Sequence, residues 1–124
     1  MKKYALYIGR WQNWHKGHEW LISQQLNKGK NVWSIRDVEQ DENNPKTAQQ
    51  ILNELSVEPF FMNNFDKILL SIIPDIESVN YGRGVGYDVI YHEPPTDVAA
   101  ISGTAIRTGH MTPDGTITYD ETKG

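Results

Sequence analysis

Apolar residues along this chain fall into three short continuous runs separated by two stretches of helical period. The first run, "KYALYIG" (residues 3–9), is apolar and aromatic nearly throughout and stops at Gly9, the pattern of a strand buried in a parallel sheet. Similar runs follow at "NVWSIRDV" (31–38) and "KILLSII" (67–73), the last closed by Pro74. Between the first two, "HEWLISQQLNKGK" puts Trp20, Leu21, Ile22 and Leu26 on a helix, with Lys28, Gly29 and Lys30 as its end. Between the second and third, Ala48, Ile51, Leu52 and Leu55 recur at i, i+3, i+4 and i+7, a helical face, with Asn44 as N-cap and Pro45 at the first helical position. "EQDENN" (39–44) reads as a mobile acidic loop, and Phe60, Phe61 and Phe65 as part of a short helix. Residues 78–95 predict one or two more strands, interrupted by Gly82, Gly84 and Gly86. "AAISGTAIRTG" predicts a turn into a short helix capped by Ser102 or Thr104. In the tail, a Pro-Asp-Gly turn and the alternation Thr116-Ile117-Thr118-Tyr119 predict an edge strand or hairpin. Strand and helix alternating over one short chain predict an α/β fold, a single domain over 1–124 with a mainly parallel sheet flanked by helices.

Composition narrows the classes of function. At 38% hydrophobic and 23% charged the chain is an ordinary globular mix, and a net charge of −4 argues against general binding to nucleic acid or an anionic membrane. Any phosphate site must then be local and preorganised. There is no cysteine, which removes disulfides and thiolate metal sites. No apolar run reaches the length of a membrane span, and Met-Lys-Lys leads into a strand rather than a signal sequence, so a cytoplasmic protein is expected.

Chemistry is concentrated in "RWQNWHKGH" (10–18). It lies where the first strand hands over to a helix, the end of a parallel sheet at which ligands bind. Amides at a helix start favour an anion, Gly17 lets a phosphate approach the main chain, and His15 and His18 can donate to its oxygens. Such a set stabilises charge on a phosphoryl group in transfer. The residues alone leave a plain surface pair of histidines equally open; a metal site is not expected, because no carboxylate or third histidine completes one. A second turn-to-helix transition, "ISGTAIR" (101–107), gathers Ser102, Gly103, Thr104 and Arg107, a further anion cradle or an ordinary helix cap. Two cradles on one sheet suit a substrate with several phosphates.

Together, "GRWQNWHKGH" and "ISGTAIR" resemble the HxGH and ISxTxxR motifs of the nucleotidylyltransferase superfamily, in the same order and at the same helix starts. "NNPKTAQQI" (43–51) also resembles the NPFTxxER helix start of archaeal-type nicotinamide-nucleotide adenylyltransferases, with Gln49-Gln50 where a basic residue is usual. The resemblance implies a Rossmann-like domain whose motif-bearing core is 4–107, followed by a tail (108–124). It implies transfer of an adenylyl group from ATP to a phosphorylated acceptor, with nicotinamide mononucleotide favoured, to give NAD⁺ and pyrophosphate. His15, His18 and Arg107 become the catalytic groups. Gly9, Arg10, Lys16, Gly17, Arg83, Ser102, Gly103 and Thr104 become nucleotide contacts. Mg²⁺ is implied as a cofactor held mainly by the substrate phosphates. The partners are then small molecules, with no nucleic acid and no membrane, and a homo-oligomer is left open.

The resemblance thins between "KILLSII" and "ISGTAIR", where relatives carry a strand, a helix and a strand and this chain has only "VNYGRGVGYDVIY". That region supplies the aromatic platform for nicotinamide in such enzymes. Trp14 and Trp33 are therefore the expected acceptor contacts, with Arg36 and Asp37 beyond the second strand. Phosphopantetheine, a polyol phosphate with CTP, or sulfate are the alternative acceptors. A non-catalytic nucleotide sensor is the alternative class, and a fragment of a class I aminoacyl-tRNA synthetase fits a short acidic chain least. His92 and His110 receive no role.

Overall fold

A computed structural model describes residues 3–84 and 86–101. Three strands, β1 (Tyr4–Gly9), β2 (Lys30–Asp37) and β3 (Ile68–Pro74), form one sheet in the order β1-β2-β3 with both pairings parallel. They coincide with the three apolar runs to within a residue. Helix α1 (Lys16–Ser23) and a 3₁₀ turn (Leu26–Lys28) join β1 to β2, while α2 (Ala48–Ser56) and α3 (Pro59–Met62) join β2 to β3. A last short helix, α4 (Thr96–Ala99), was not legible in the hydrophobic pattern, having no buried residue.

Register and alternation together decide which face is the core. Tyr7 pairs with Trp33 and Trp33 with Leu70; Asn31 pairs with Ile68 and Gly9 with Ile35. Those residues share one face, and Tyr7, Trp33, Ile35 and Ile68 are buried there with Ile22 of α1, Ile51 and Leu55 of α2, and Phe61 of α3. The opposite face leaves Tyr4, Leu6 and Leu69 more than half exposed. Among the described residues, then, helices cover the sheet on one side rather than flanking it.

Three local expectations are corrected. Helix α2 starts at Thr47, not at Asn44-Pro45, because Thr47 and Gln50 form a reciprocal capping box: the Thr47 hydroxyl accepts from Gln50 N and the Gln50 side chain accepts from Thr47 N. The acidic loop is tied down by Asp41, whose Oδ1 accepts from the amides of Asn43 and Asn44 and from Asn44 Nδ2. No strand forms among the described residues of 78–95; Gly84 and Gly86 take φ of 74° and 78°, which breaks an extended run. Alternating apolar residues there (Val79, Tyr81, Tyr87, Val89) remain exposed, with no neighbouring strand among the described residues to pair with. The expected helix capped by Ser102 or Thr104 and the hairpin at 116–119 lie outside the described residues.

One packing relation holds the turn after β1. Trp11 has a φ of 51°, in the left-handed region that costs a bulky residue about 1–3 kcal/mol. Its indole is retained there by a 2.8 Å hydrogen bond from Nε1 to the Ser34 carbonyl and by stacking on Trp33 at 3.8 Å. A Cβ on Gly9 would lie 2.7 Å from that ring. Gly9→Ala should therefore destabilise the fold by about 1–3 kcal/mol through overpacking, measured as a lower urea midpoint at unchanged slope. An unaltered midpoint would mean that the indole moves aside at no cost.

Candidate functional site

His15 is the N-cap of α1, with extended backbone (φ −151°, ψ 173°), and its Nδ1 accepts from Gly17 N at 3.0 Å. An acceptor Nδ1 leaves the proton of the neutral ring on Nε2, so His15 presents one N–H donor. The His15 carbonyl accepts from the amides of His18 (3.0 Å) and Glu19 (3.2 Å). The amides of Gly17, His18 and Glu19, expected to be available to an anion, are thus engaged inside the turn. Gly17 has a local reason as well: a Cβ there would sit 2.7 Å from the His15 ring. Glycine at this position makes room for the capping imidazole before any ligand is considered.

His18 stacks on His15, with ring centroids 3.7 Å apart and planes 22° from parallel, and it meets the Trp11 ring edge-on at 5.0 Å. Trp14 closes the same aromatic box, 5.7 Å from His18 and edge-on to Trp33 and Phe61. Nδ1 of His18 is buried without a hydrogen-bond partner among the described residues. An unpaired polar atom in such a box is costly and marks a position where a donor or acceptor is missing. Burial, and then the adjacent His15 ring, press the His18 pKa from 6.5 down to about 3, and burial lowers that of His15. Both rings are therefore neutral near pH 7, and they offer hydrogen bonds rather than positive charge.

Arg10 supplies charge at the mouth of the turn. It is exposed, and its Nη1 donates to Asn44 Oδ1 at 3.1 Å. Asn44 is in turn held by Asp41, whose carboxyl is kept below its ordinary range chiefly by that Asn44 bond. Next to it, buried Gln12 clasps Lys46 with both ends of its amide, Oε1 accepting from Lys46 N at 2.9 Å and Nε2 donating to Lys46 O at 3.1 Å. Thus the segment "NNPK" lies directly against "RWQN". Asn44 and Gln12 are site residues that the sequence reading missed: the loop's composition spoke of solvent, and only a buried amide facing a backbone distinguishes a clasp from a loop. Lys16 pairs with Glu19 at 2.6 Å.

The other expected site residues scatter. Gly9 is covered by the Trp11 indole, so it serves that ring rather than forming an open floor for a nucleotide. Trp33 is 0% exposed and lies beneath Trp11, which removes it as a stacking surface for an acceptor; Trp14 is only half-buried. Arg36 is committed to Asp75, at 2.7 and 3.1 Å, and to the Ile76 carbonyl, a rim ion pair, while Asp37 is exposed. Arg83 is exposed in a segment whose glycines at 82, 84 and 86 have nothing within contact range, so no phosphate loop is built around it by the described residues. Ser102, Gly103, Thr104 and Arg107 lie outside the described residues. The chain approaching them does return to the histidines: α4 packs on α1, and the Val98 carbonyl lies 4.0 Å from where a Gly17 Cβ would be.

Among the described residues no three His, Asp or Glu side chains gather to hold a metal ion, and none of their helices is long and apolar enough to cross a membrane. A neutral His18 has a measurable consequence. The unfolded chain takes up a proton near pH 6.5 and the folded one only near 3, so acid favours unfolding across that window. Stability from this group is complete above 6.5 and falls as pH drops toward 3, by at most about 1.4 kcal/mol per pH unit. The His18 ring resonances should stay fixed in NMR spectra from pH 8 to pH 5; a titration midpoint inside that range would mean a solvated ring.

No protein-family model, curated protein or solved structure matches this chain.

Proposed function

We propose that the protein is a nucleotidyltransferase of Rossmann-like fold that moves an adenylyl group from ATP to a phosphorylated acceptor, nicotinamide mononucleotide in the first place, and releases pyrophosphate. One observation carries the reading: a histidine turn at the carboxyl end of β1, a strand of the parallel sheet, with α4 bringing the chain back to it just before "SGTAIR". The end of β1 and the start of α1 bring the histidine motif to the edge of the sheet at which α/β folds bind phosphates, and the second sequence motif follows directly on the segment that returns there.

In this reaction an oxygen of the acceptor phosphate attacks the α-phosphorus of ATP, and the bond from that phosphorus to the bridging oxygen breaks as pyrophosphate leaves. The chain contributes positioning and charge stabilisation, with no covalent intermediate. His15 donates through Nε2, held in that tautomer by its cap bond to Gly17. His18, buried and lacking a partner at Nδ1, gains a hydrogen bond as negative charge develops on the phosphoryl oxygens. Arg10, fixed by Asn44, supplies positive charge at the mouth, Lys16 being paired with Glu19, and Arg107 grips the departing pyrophosphate. The residues around the histidines do not fit a protein-held Mg²⁺, since the one acid in the turn, Glu19, is paired with Lys16. A divalent ion that arrives with the triphosphate neutralises phosphate charge.

The self-capped turn favours a second reading, a nucleotide sensor that binds without turnover, because its amides are already satisfied. Pyrophosphate release from ATP and CTP against a panel of phosphorylated acceptors separates the two. The transferase should release pyrophosphate with at least one acceptor, and His18→Ala should lower turnover by about two to three orders of magnitude with an unchanged circular dichroism spectrum. ATP binding without release on any acceptor would establish the sensor instead.

For a nicotinamide acceptor, Trp14 is the remaining aromatic face. A cation over Trp contributes about 0.5–2 kcal/mol, so Trp14→Leu should raise the acceptor KM by about two- to thirty-fold with little change for ATP. An unchanged acceptor KM would place the pyridinium ring elsewhere.

A further inference from the structure

The amino ends of the strands, opposite the histidine turn, carry a concentration of charge that the proposed reaction does not use. A cavity of about 580 Å³ opens there, lined by Lys3, Lys28, Lys30 and Lys67, with Asp66 as its one acidic residue. In a chain of net charge −4, four of its eight lysines face one cavity. They come from separate places: Lys3 precedes β1, Lys28 ends the 3₁₀ turn, Lys30 opens β2 and Lys67 precedes β3. Parallel strands in register gather these positions, which are far apart in sequence.

None of the four lysines has a carboxylate partner among the described residues. Lys30 Nζ donates to the Asp66 carbonyl at 2.7 Å, and Lys67 Nζ to Asn27 Oδ1 at 3.1 Å. Both acceptors are neutral, so they orient the ammonium groups without cancelling their charge. Lys28 answers the negative pole of the 3₁₀ turn. The other three stand at strand starts, where no helix pole calls for them. Like charges brought together around a cavity repel one another, and an anion relieves that repulsion.

We propose that this basin binds a compact oxyanion of the phosphate class bearing several charges, at a site roughly 20 Å from the histidine turn along the strands. Multiple charge is the selecting feature: four lysines line the cavity against a single acidic residue, and flexible lysine stems can close on a small ligand from several sides. The site is independent of the proposed transfer reaction.

The test is an NMR titration of the isotopically labelled protein with sodium tripolyphosphate at low salt. Amides of Asn27, Lys28, Lys30 and Lys67 should shift in saturable fashion, more tightly than with inorganic phosphate, and should do so equally in His18→Ala. Lys3→Gln with Lys28→Gln removes two side chains that bond to nothing among the described residues, which protects the fold. That pair should weaken the local response by at least about tenfold, and Lys67→Gln should weaken it further. Shifts confined to residues 10–19, an unchanged affinity in the double variant, or no local shift at millimolar ligand would each overturn the site. Because the His18→Ala arm reads the basin alone, failure here leaves the transferase reading intact, and the reverse.

Discussion

Most of this structure depends on where one indole goes. Trp11 accepts a left-handed backbone so that its ring can lie across Gly9, stack on Trp33 and bond to the Ser34 carbonyl. That arrangement joins the end of β1 to the middle of β2 and sets the direction in which the chain leaves the sheet. Everything that follows in the turn is aimed by it: Gln12 toward the Lys46 backbone, Trp14 toward Phe60 and Phe61, and His18 against the edge of the Trp11 ring. The strain is local, while the contacts that offset it reach three elements, β1, β2 and α1.

The same box determines the chemistry of the histidines. An imidazole among two indoles and a second imidazole loses its hydration, and the neutral form wins because the charged form has nothing to replace water. His15 is therefore a donor of fixed direction, through Nε2, and His18 is a neutral ring whose Nδ1 has no partner among the described residues. Positive charge comes from outside the box, from Arg10 on its Asn44 tether. For the proposed transfer reaction, separating direction from charge in this way has a use, since fixed dipoles need no reorganisation as charge develops on a phosphoryl group.

The sheet's two ends are electrostatically different. At the carboxyl end, neutral rings and one tethered arginine surround a turn; at the amino end, four lysines surround a cavity with a single acid. Overall charge conceals this, because it sums over the whole chain, while one acidic residue, Asp66, lines the cavity beside four lysines. A net value of −4 excludes a broad basic surface, and it leaves room for a compact basic basin.

The sequence by itself determined the three strands, the two crossover helices and the position of the histidine turn. Each is announced by local physics: continuous apolar runs such as "KILLSII", a helical period such as Ala48, Ile51 and Leu55, and a glycine beside a capping residue. It misled at 78–95, where an alternating apolar pattern had no neighbour to pair with among the described residues, and at Asn44, whose side chain had a better partner in Arg10 than in the helix start. Tertiary structure alone decided which tryptophan is core and which remains open, that the turn's amides are satisfied from within, and that Lys3, Lys28, Lys30 and Lys67 meet. Those outcomes depend on strand register and on competition among distant partners for the same hydrogen bond or face, quantities that no window of adjacent residues contains.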